Sequence, residues 1–241
     1  KRFKEITSKY SRLRIAVVGD YSLDRYLDID LSKNETSIET GLPVYNVSDV
    51  RAQPGAAGTI LSNLVTLGIG ELWAVGFCGI DGHGYELCRA LKNLPDVKTQ
   101  YFLKNKKQKT FTYCKPLVIV PDKTPRELNR YDIKNWHPTP HTLQKHLANA
   151  VMKLANNVDA IIVLDQVDVP ETGVITSSML ETIDKLTKIT PSKQLLPIII
   201  GDSRNGFEGW PNIDLKMNLN EFRKMTGISL ECLKDIKTAI A

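Results

Sequence analysis

Three stretches read together decide the fold: VVGDYSLDRY (17–26), PGAAGTILSNLVTLG (54–68) and VGFCGIDGHG (75–84). The first begins inside a continuous apolar run, RIAVVG (14–19), that follows a basic and polar lead-in. An uninterrupted run of this kind suits a strand buried on both faces of a parallel sheet. The second opens on proline, glycine and alanine and passes into an amphipathic pattern over 59–67, which predicts a tight turn into a helix. The third carries Gly76, Gly79, Gly82 and Gly84 around Asp81. Small residues let a backbone approach a polar ligand closely, and carboxylates just past a strand can accept hydrogen bonds from sugar hydroxyls. The three stretches predict a small-molecule site, of sugar type.

Outward from these stretches the same rhythm continues. Apolar runs at 72–76, 160–164 and 196–201 sit beside helical patterns at 59–67, 85–93, 141–155 and 177–188. Strands alternating with helices predict an α/β layered sheet. Two segments break the rhythm, 27–51 and 99–122. Both alternate apolar and polar residues and read as antiparallel strands, which would pair into a small β-lid over the main sheet. The expectation is a single domain over 1–241 with the lid strands inserted in its core.

Composition narrows the function. The chain has 42% hydrophobic and 24% charged residues, ordinary for a globular protein, and a formal net charge of +5. That charge fits an anionic substrate. The lysines are scattered instead of forming a stripe, which argues against nucleic acid, and the cluster at 104–109 reads as a solvated turn. Cys78, Cys88, Cys114 and Cys232 show no C-x-x-C spacing and read as free thiols in a reducing compartment. No histidine stands at zinc-ligand spacing from them. No run approaches the ~18 apolar residues of a membrane span, and no signal peptide precedes the first strand, so a cytoplasmic protein is expected.

Several residues could carry chemistry. Asp20 and Asp24 follow the first buried strand, where open α/β sheets bind ligands; the alternative is that Asp20 caps a turn and Asp24 pairs with a cation. The turn at 54–58 would cradle a phosphate or simply reverse the chain. Asp165-Gln166 and Asp202-Ser203-Arg204 follow two further strands in the same relation. Asn218 and Glu221, three apart, would project from the first turn of a helix. There they suit Mg²⁺ held through water near a nucleotide's phosphates, or else form a capping box.

In order along the chain, VVGDYSLDRY, PGAAGTILSNLVTLG, VGFCGIDGHG, the DSR at 202–204 and the N-x-x-E at 218–221 resemble the ribokinase-like (PfkB) carbohydrate kinases. The resemblance covers essentially the whole chain. GDxxLDRY, LNRYDIKNW (128–136) and DSR look most like the branch that phosphorylates heptose 7-phosphate at C1 for ADP-heptose synthesis. It implies a Rossmann-like αβα sandwich with a β-lid, and ATP- and Mg²⁺-dependent phosphate transfer to a sugar hydroxyl. By position, Asp24 would grip the sugar with Asp20 beside it, and Gly55, Ala56 and Thr59 would border it. Thr112 and Lys115 on the lid would meet an anionic sugar phosphate. Asn218, Glu221 and Asp202 would organise Mg²⁺ and the triphosphate, with no protein side chain binding the metal directly. Kinases of this type often pair through their lids, so a homodimer is expected.

The chain also departs from the pattern. Ala56 stands where the family usually has a second glycine, Thr59 where it has asparagine, and Met217 where it has proline. The family's later Gly-Ala-Gly-Asp motif, whose aspartate is the general base, does not occur in these 241 residues. The expectation is a fold incomplete at its C-terminus, with the general base beyond Ala241 and poor phosphate transfer by the sequence as it stands. Two other readings follow: a non-catalytic sugar-binding or regulatory protein on the kinase scaffold, or one domain of a bifunctional ADP-heptose synthesis protein.

Overall fold

Alternate side chains of a strand point to opposite faces, so the apolar run at 14–19 demands helices on both sides of its sheet. The computed structural model describes residues 2–189 and 196–227. After a short helix α1 (Arg2–Thr7), the first half runs β1 (Arg14–Gly19), β2 (Tyr21–Ile29), β3 (Glu35–Thr36), β4 (Pro43–Val44) and β5 (Val47–Ala56), then α2 (Ala57–Thr66), β6 (Glu71–Gly79) and α3 (Gly82–Lys92). The second half runs β7 (Val97–Asn105), β8 (Phe111–Val118), β9 (Arg126–Glu127), β10 (Tyr131–Ile133), α4 (His141–Leu154), β11 (Ala160–Asp165), α5 (Ser177–Lys188), β12 (Ile198–Ser203), β13 (Asp214–Leu215) and α6 (Leu219–Thr226).

The main sheet has strand order β13-β12-β11-β1-β6-β7, with every neighbouring pair parallel. Its two faces carry separate cores. Ile15 and Val17 join Ala57 and Leu61 of α2 and Leu87 and Leu91 of α3. Ala16 and Val18 join Leu147 and Val151 of α4 and Met179 and Ile183 of α5 on the other face. This is the expected αβα sandwich. No helix among the described residues is long and apolar enough to cross a membrane.

The lid is present with different boundaries. It is the sheet β10-β8-β2-β5, with β9 paired to β8. Its first strand begins at Tyr21, directly after β1, so Asp24 lies within a lid strand and not in a loop beyond a core strand. Within the lid, β2 pairs antiparallel with β5 but parallel with β8. The segment read as the lid's second part is divided: β7, containing Tyr101 and Phe102, is the parallel edge strand of the main sheet, and only β8 enters the lid. β7 alternates partly buried with exposed residues, the pattern of a strand with one face towards solvent. The amphipathic pattern at 229–241, and Cys232 within it, lie outside the described residues.

Candidate functional site

A cavity of about 280 Å³ lies between the lid and the carboxyl ends of the main-sheet strands, lined by Asp24, Ala56, Thr59, Tyr113, Lys115, Arg130, Gln166, Asp202 and Arg204, with Ile60 and Leu164 as its apolar part. The lid's pleat decides which side chains reach it. Asp24 is in register with Tyr113, and Tyr26 with Lys115. Register partners share a face, so these four residues project together. Thr112 is one residue out of phase: it is fully buried, and its hydroxyl donates to the carbonyl of Thr110 at 3.0 Å. It does not reach the cavity.

Asp24 and Lys115 face each other in the roof. The Lys115 ammonium donates to Asp24 Oδ2 at 2.8 Å, and both side chains are less than one-fifth exposed. Burial pulls the Lys115 ammonium down, but the Asp24 carboxylate outweighs it and leaves the pKa above its ordinary value. Gly55 is what allows Asp24 its place. A Cβ there would stand 2.4 Å from Asp24 Oδ1 and 2.5 Å from the Ser22 hydroxyl. Ala56, between β5 and α2, has φ 52° and ψ −119°, a conformation in the range favouring glycine. Thr59, in the first turn of α2, is exposed to the cavity and donates its hydroxyl to the Pro54 carbonyl at 3.3 Å.

Three cations, Lys115, Arg130 and Arg204, thus face two carboxylates, Asp24 and Asp202. Arg130 lies over the Tyr113 ring, 5.2 Å from its centroid, and is steadied by Asp132 at 2.6 Å. Burial raises the Tyr113 hydroxyl's pKa, with Arg204 and Lys134 opposing. Arg204 makes no ion pair among the described residues, so its charge is free to meet an anion. Asp202 pairs with Lys216 at 3.1 Å.

Asp20 is not brought to the cavity. Its buried carboxylate accepts from the amides of Gln166 (2.8 Å), Val167 (3.1 Å) and Val174 (2.7 Å). Burial pushes its pKa up to about 6, against those three amides. It holds the loop between β11 and α5, where Gly173 leaves room for it. Asn218 and Glu221 form the capping box. Asn218 Oδ1 accepts from the amides of Asn220 and Glu221, while Glu221 accepts from the Asn218 amide at 2.7 Å and from Asn218 Nδ2 at 2.6 Å. The Glu221 carboxylate still faces solvent beside a second cavity of about 500 Å³, which shares Arg204 with the first. Oxygen donors around water are what Mg²⁺ prefers, so the Glu221 and Asp202 carboxylates suit the ion held through water. Among the described residues no three His, Cys, Asp or Glu side chains converge to hold a metal directly.

Gln166 and Arg204 are marked in the sequence by their place after the apolar runs at 160–164 and 196–201, whereas Arg130 and Tyr113 are marked by no spacing. For Arg130 the available signal is its place in LNRYDIKNW.

A lid-roofed cavity at the carboxyl ends of a parallel sheet is the architecture of ribokinase-like (PfkB) carbohydrate kinases, and this chain has that fold. Ribokinase of Arabidopsis thaliana, solved with ribose and ATP, matches with a TM-score of 0.59 at 17% identity, over 95% of this chain and 67% of that one. Phosphofructokinase-2 of Escherichia coli, solved with fructose-6-phosphate, matches with a TM-score of 0.64 at 14% identity, over 94% and 68%. In sequence, the chain is similar to the bifunctional protein HldE of Gluconobacter oxydans, 26% identical over 202 residues, and of Hydrogenovibrio crunogenus, 24% over 220. These alignments take in 84% and 91% of this chain but 39% and 41% of the relatives, so the chain spans about two-fifths of their length. No family model matches. The resemblance read from the motifs is borne out.

Proposed function

We propose that the protein is an ATP-dependent kinase acting on a sugar phosphate, transferring the γ-phosphoryl group to C1 of a heptose 7-phosphate-like substrate. The observation that carries this reading is the cavity where Asp24 and the cations Lys115, Arg130 and Arg204 converge under the lid. A sugar phosphate needs both kinds of group: a carboxylate that accepts from its hydroxyls, and cations that neutralise its phosphate. Gly55 lets the β5 backbone close on the ring, with Ala56 and Thr59 beside it. An arriving phosphate competes for Lys115 and releases Asp24 towards the hydroxyls. Asp202, Asn218 and Glu221 would hold Mg²⁺ through water on the nucleotide side of the site. ATP, when bound with the ion, supplies the phosphoryl group; the protein's part is positioning and charge stabilisation.

The test is ATP consumption by the full-length protein with heptose 7-phosphate, fructose phosphates and the corresponding free sugars. Turnover of a phosphorylated sugar is expected. In Arg204→Gln its KM should rise about tenfold or more, near 1.4 kcal/mol of lost binding, with little change for the free sugar. No turnover of any sugar phosphate would overturn the reading. One observation favours the second reading, a sugar-binding protein without catalysis: the Ala56 methyl stands where the family pattern has glycine. Binding of one sugar without ATP consumption would establish it.

For the assembly, the exposed apolar residues Tyr45, Val47, Val50 and Tyr131 on the lid support pairing of two copies. A light-scattering mass equal to one chain would exclude that pairing.

A further inference from the structure

Cys78 and Cys88 meet where β6 turns into α3, with their sulfurs 3.6 Å apart. Cys78 is only 1% exposed and belongs to the core on that face, whereas Cys88 is half-buried. Lys104 is the register partner of Cys78 on β7. The pair therefore differs from two inert core thiols in three ways: the sulfurs touch, one partner is accessible, and cations stand nearby. The hydrogen bond from Cys78 favours the Cys88 thiolate, burial opposes it, and Lys104 and Lys92 add to the favourable side, leaving the Cys88 thiol below its ordinary pKa. The same hydrogen bond, and then burial, push the Cys78 thiol up and keep it protonated.

We propose that Cys78 and Cys88 form an oxidation site, in which Cys88 reacts with a peroxide and Cys78 resolves the product as an intramolecular disulfide. The Cys88 thiolate attacks the peroxide O–O bond, giving a sulfenic acid and, with a proton, one water. Cys78 Sγ then attacks that sulfur: the S–S bond forms, the S–O bond breaks, and the departing hydroxyl takes the Cys78 proton as a second water. The two thiols lose two electrons and two protons, and the peroxide gains them.

The bond would close the loop 78–88 across Asp81, which joins α3 to the lid. Asp81 caps α3 by accepting from the Gly84 amide at 2.7 Å. It also accepts from the Thr110 amide and hydroxyl, at 3.0 and 2.7 Å, immediately before β8. Drawing the sulfurs together to the ~2.05 Å of a disulfide moves the start of α3, and Asp81 carries that movement to the lid strand bearing Tyr113 and Lys115. This inference does not depend on the sugar-kinase reading.

The full chain is treated with hydrogen peroxide, alkylated under denaturing conditions and mapped by mass spectrometry. Peptides carrying Cys78 and Cys88 are expected to be joined, lighter by two hydrogens, and freed by dithiothreitol. In Cys88→Ser, Cys78 should stay fully alkylatable. In Cys78→Ser, Cys88 should persist as a sulfenic acid that dimedone traps. Should Cys78→Ser not fold, the unmodified chain and Cys88→Ser decide the matter. Both thiols remaining free, linkage to Cys114 or Cys232 instead, or oxidation of Cys78 in Cys88→Ser would overturn the proposal. Hydrogen exchange at 110–115 should change on oxidation; unchanged exchange would overturn the coupling to the lid.

Discussion

Ala56 holds a backbone conformation that costs a side-chain-bearing residue roughly 1–3 kcal/mol. Its methyl also occupies the edge of the cavity. Glycine would relieve the strain but lose more conformational freedom on folding, a smaller opposing effect. Ala56→Gly is therefore expected to stabilise the protein by about 1 kcal/mol, read as a higher denaturant midpoint. A lower midpoint would mean that the methyl's packing outweighs the strain. At Gly55 the constraint is different, because the Asp24 carboxylate fills the space where a Cβ would stand. Adjacent small residues thus serve unlike ends: Gly55 makes room for Asp24, and Ala56 keeps a strained turn despite its methyl.

At the scale of elements, α6 is held at its start by the Asn218–Glu221 capping box and at its end by Gly227 in the left-handed conformation. Asn218→Ala should cost about 1 kcal/mol through loss of the cap. If the same residues also organise the nucleotide, ATP affinity of the full-length protein should fall by about tenfold or more, beyond what the lost stability explains. Unchanged ATP affinity would leave the box a cap alone. β1, β11 and the helices α2 to α5 could be read in the sequence because two-sided burial leaves an unbroken apolar run and one-sided helix burial leaves a 3.6-residue period. β7 could not be assigned to its sheet, since its solvent-facing side leaves the alternation of any half-buried strand, and β2 could not because it follows β1 after Asp20 alone, with no loop to mark the change of sheet. The cavity was legible in part. Asp24 and Lys115 were named from the family resemblance, and Gln166 and Arg204 from their places after two strands, but their convergence with Arg130 and Tyr113 comes from separate segments that only tertiary structure brings together. Asp20 was misplaced because its carboxylate turns inward to amides more than 140 residues away.

At the scale of the whole molecule, Asp20 ties the end of β1 to the loop between β11 and α5. The folded chain holds this proton more tightly than the unfolded one, with a pKa of about 6 against an ordinary 3.8. Stability should therefore decline as pH rises from about 4 to about 6, by roughly 3 kcal/mol from this group, and level off above. Urea unfolding across that range checks the slope, which Asp20→Asn should lack; an equal slope in both proteins would assign it to other groups. The cavity joins the two sheets as well, since it takes residues from the lid and from the main-sheet strand ends. In the proposed function, recognition of the sugar rests on Asp24, the carboxylate in the roof. The most direct measurement is calorimetric titration of heptose 7-phosphate into the full-length protein and its Asp24→Asn variant, with thermal unfolding of both. Binding to the unmodified protein, at least about tenfold weaker binding to Asp24→Asn, and closely similar unfolding temperatures are expected. Equal affinity in the two proteins, or a variant that loses the sugar only because it unfolds, would contradict that role of Asp24.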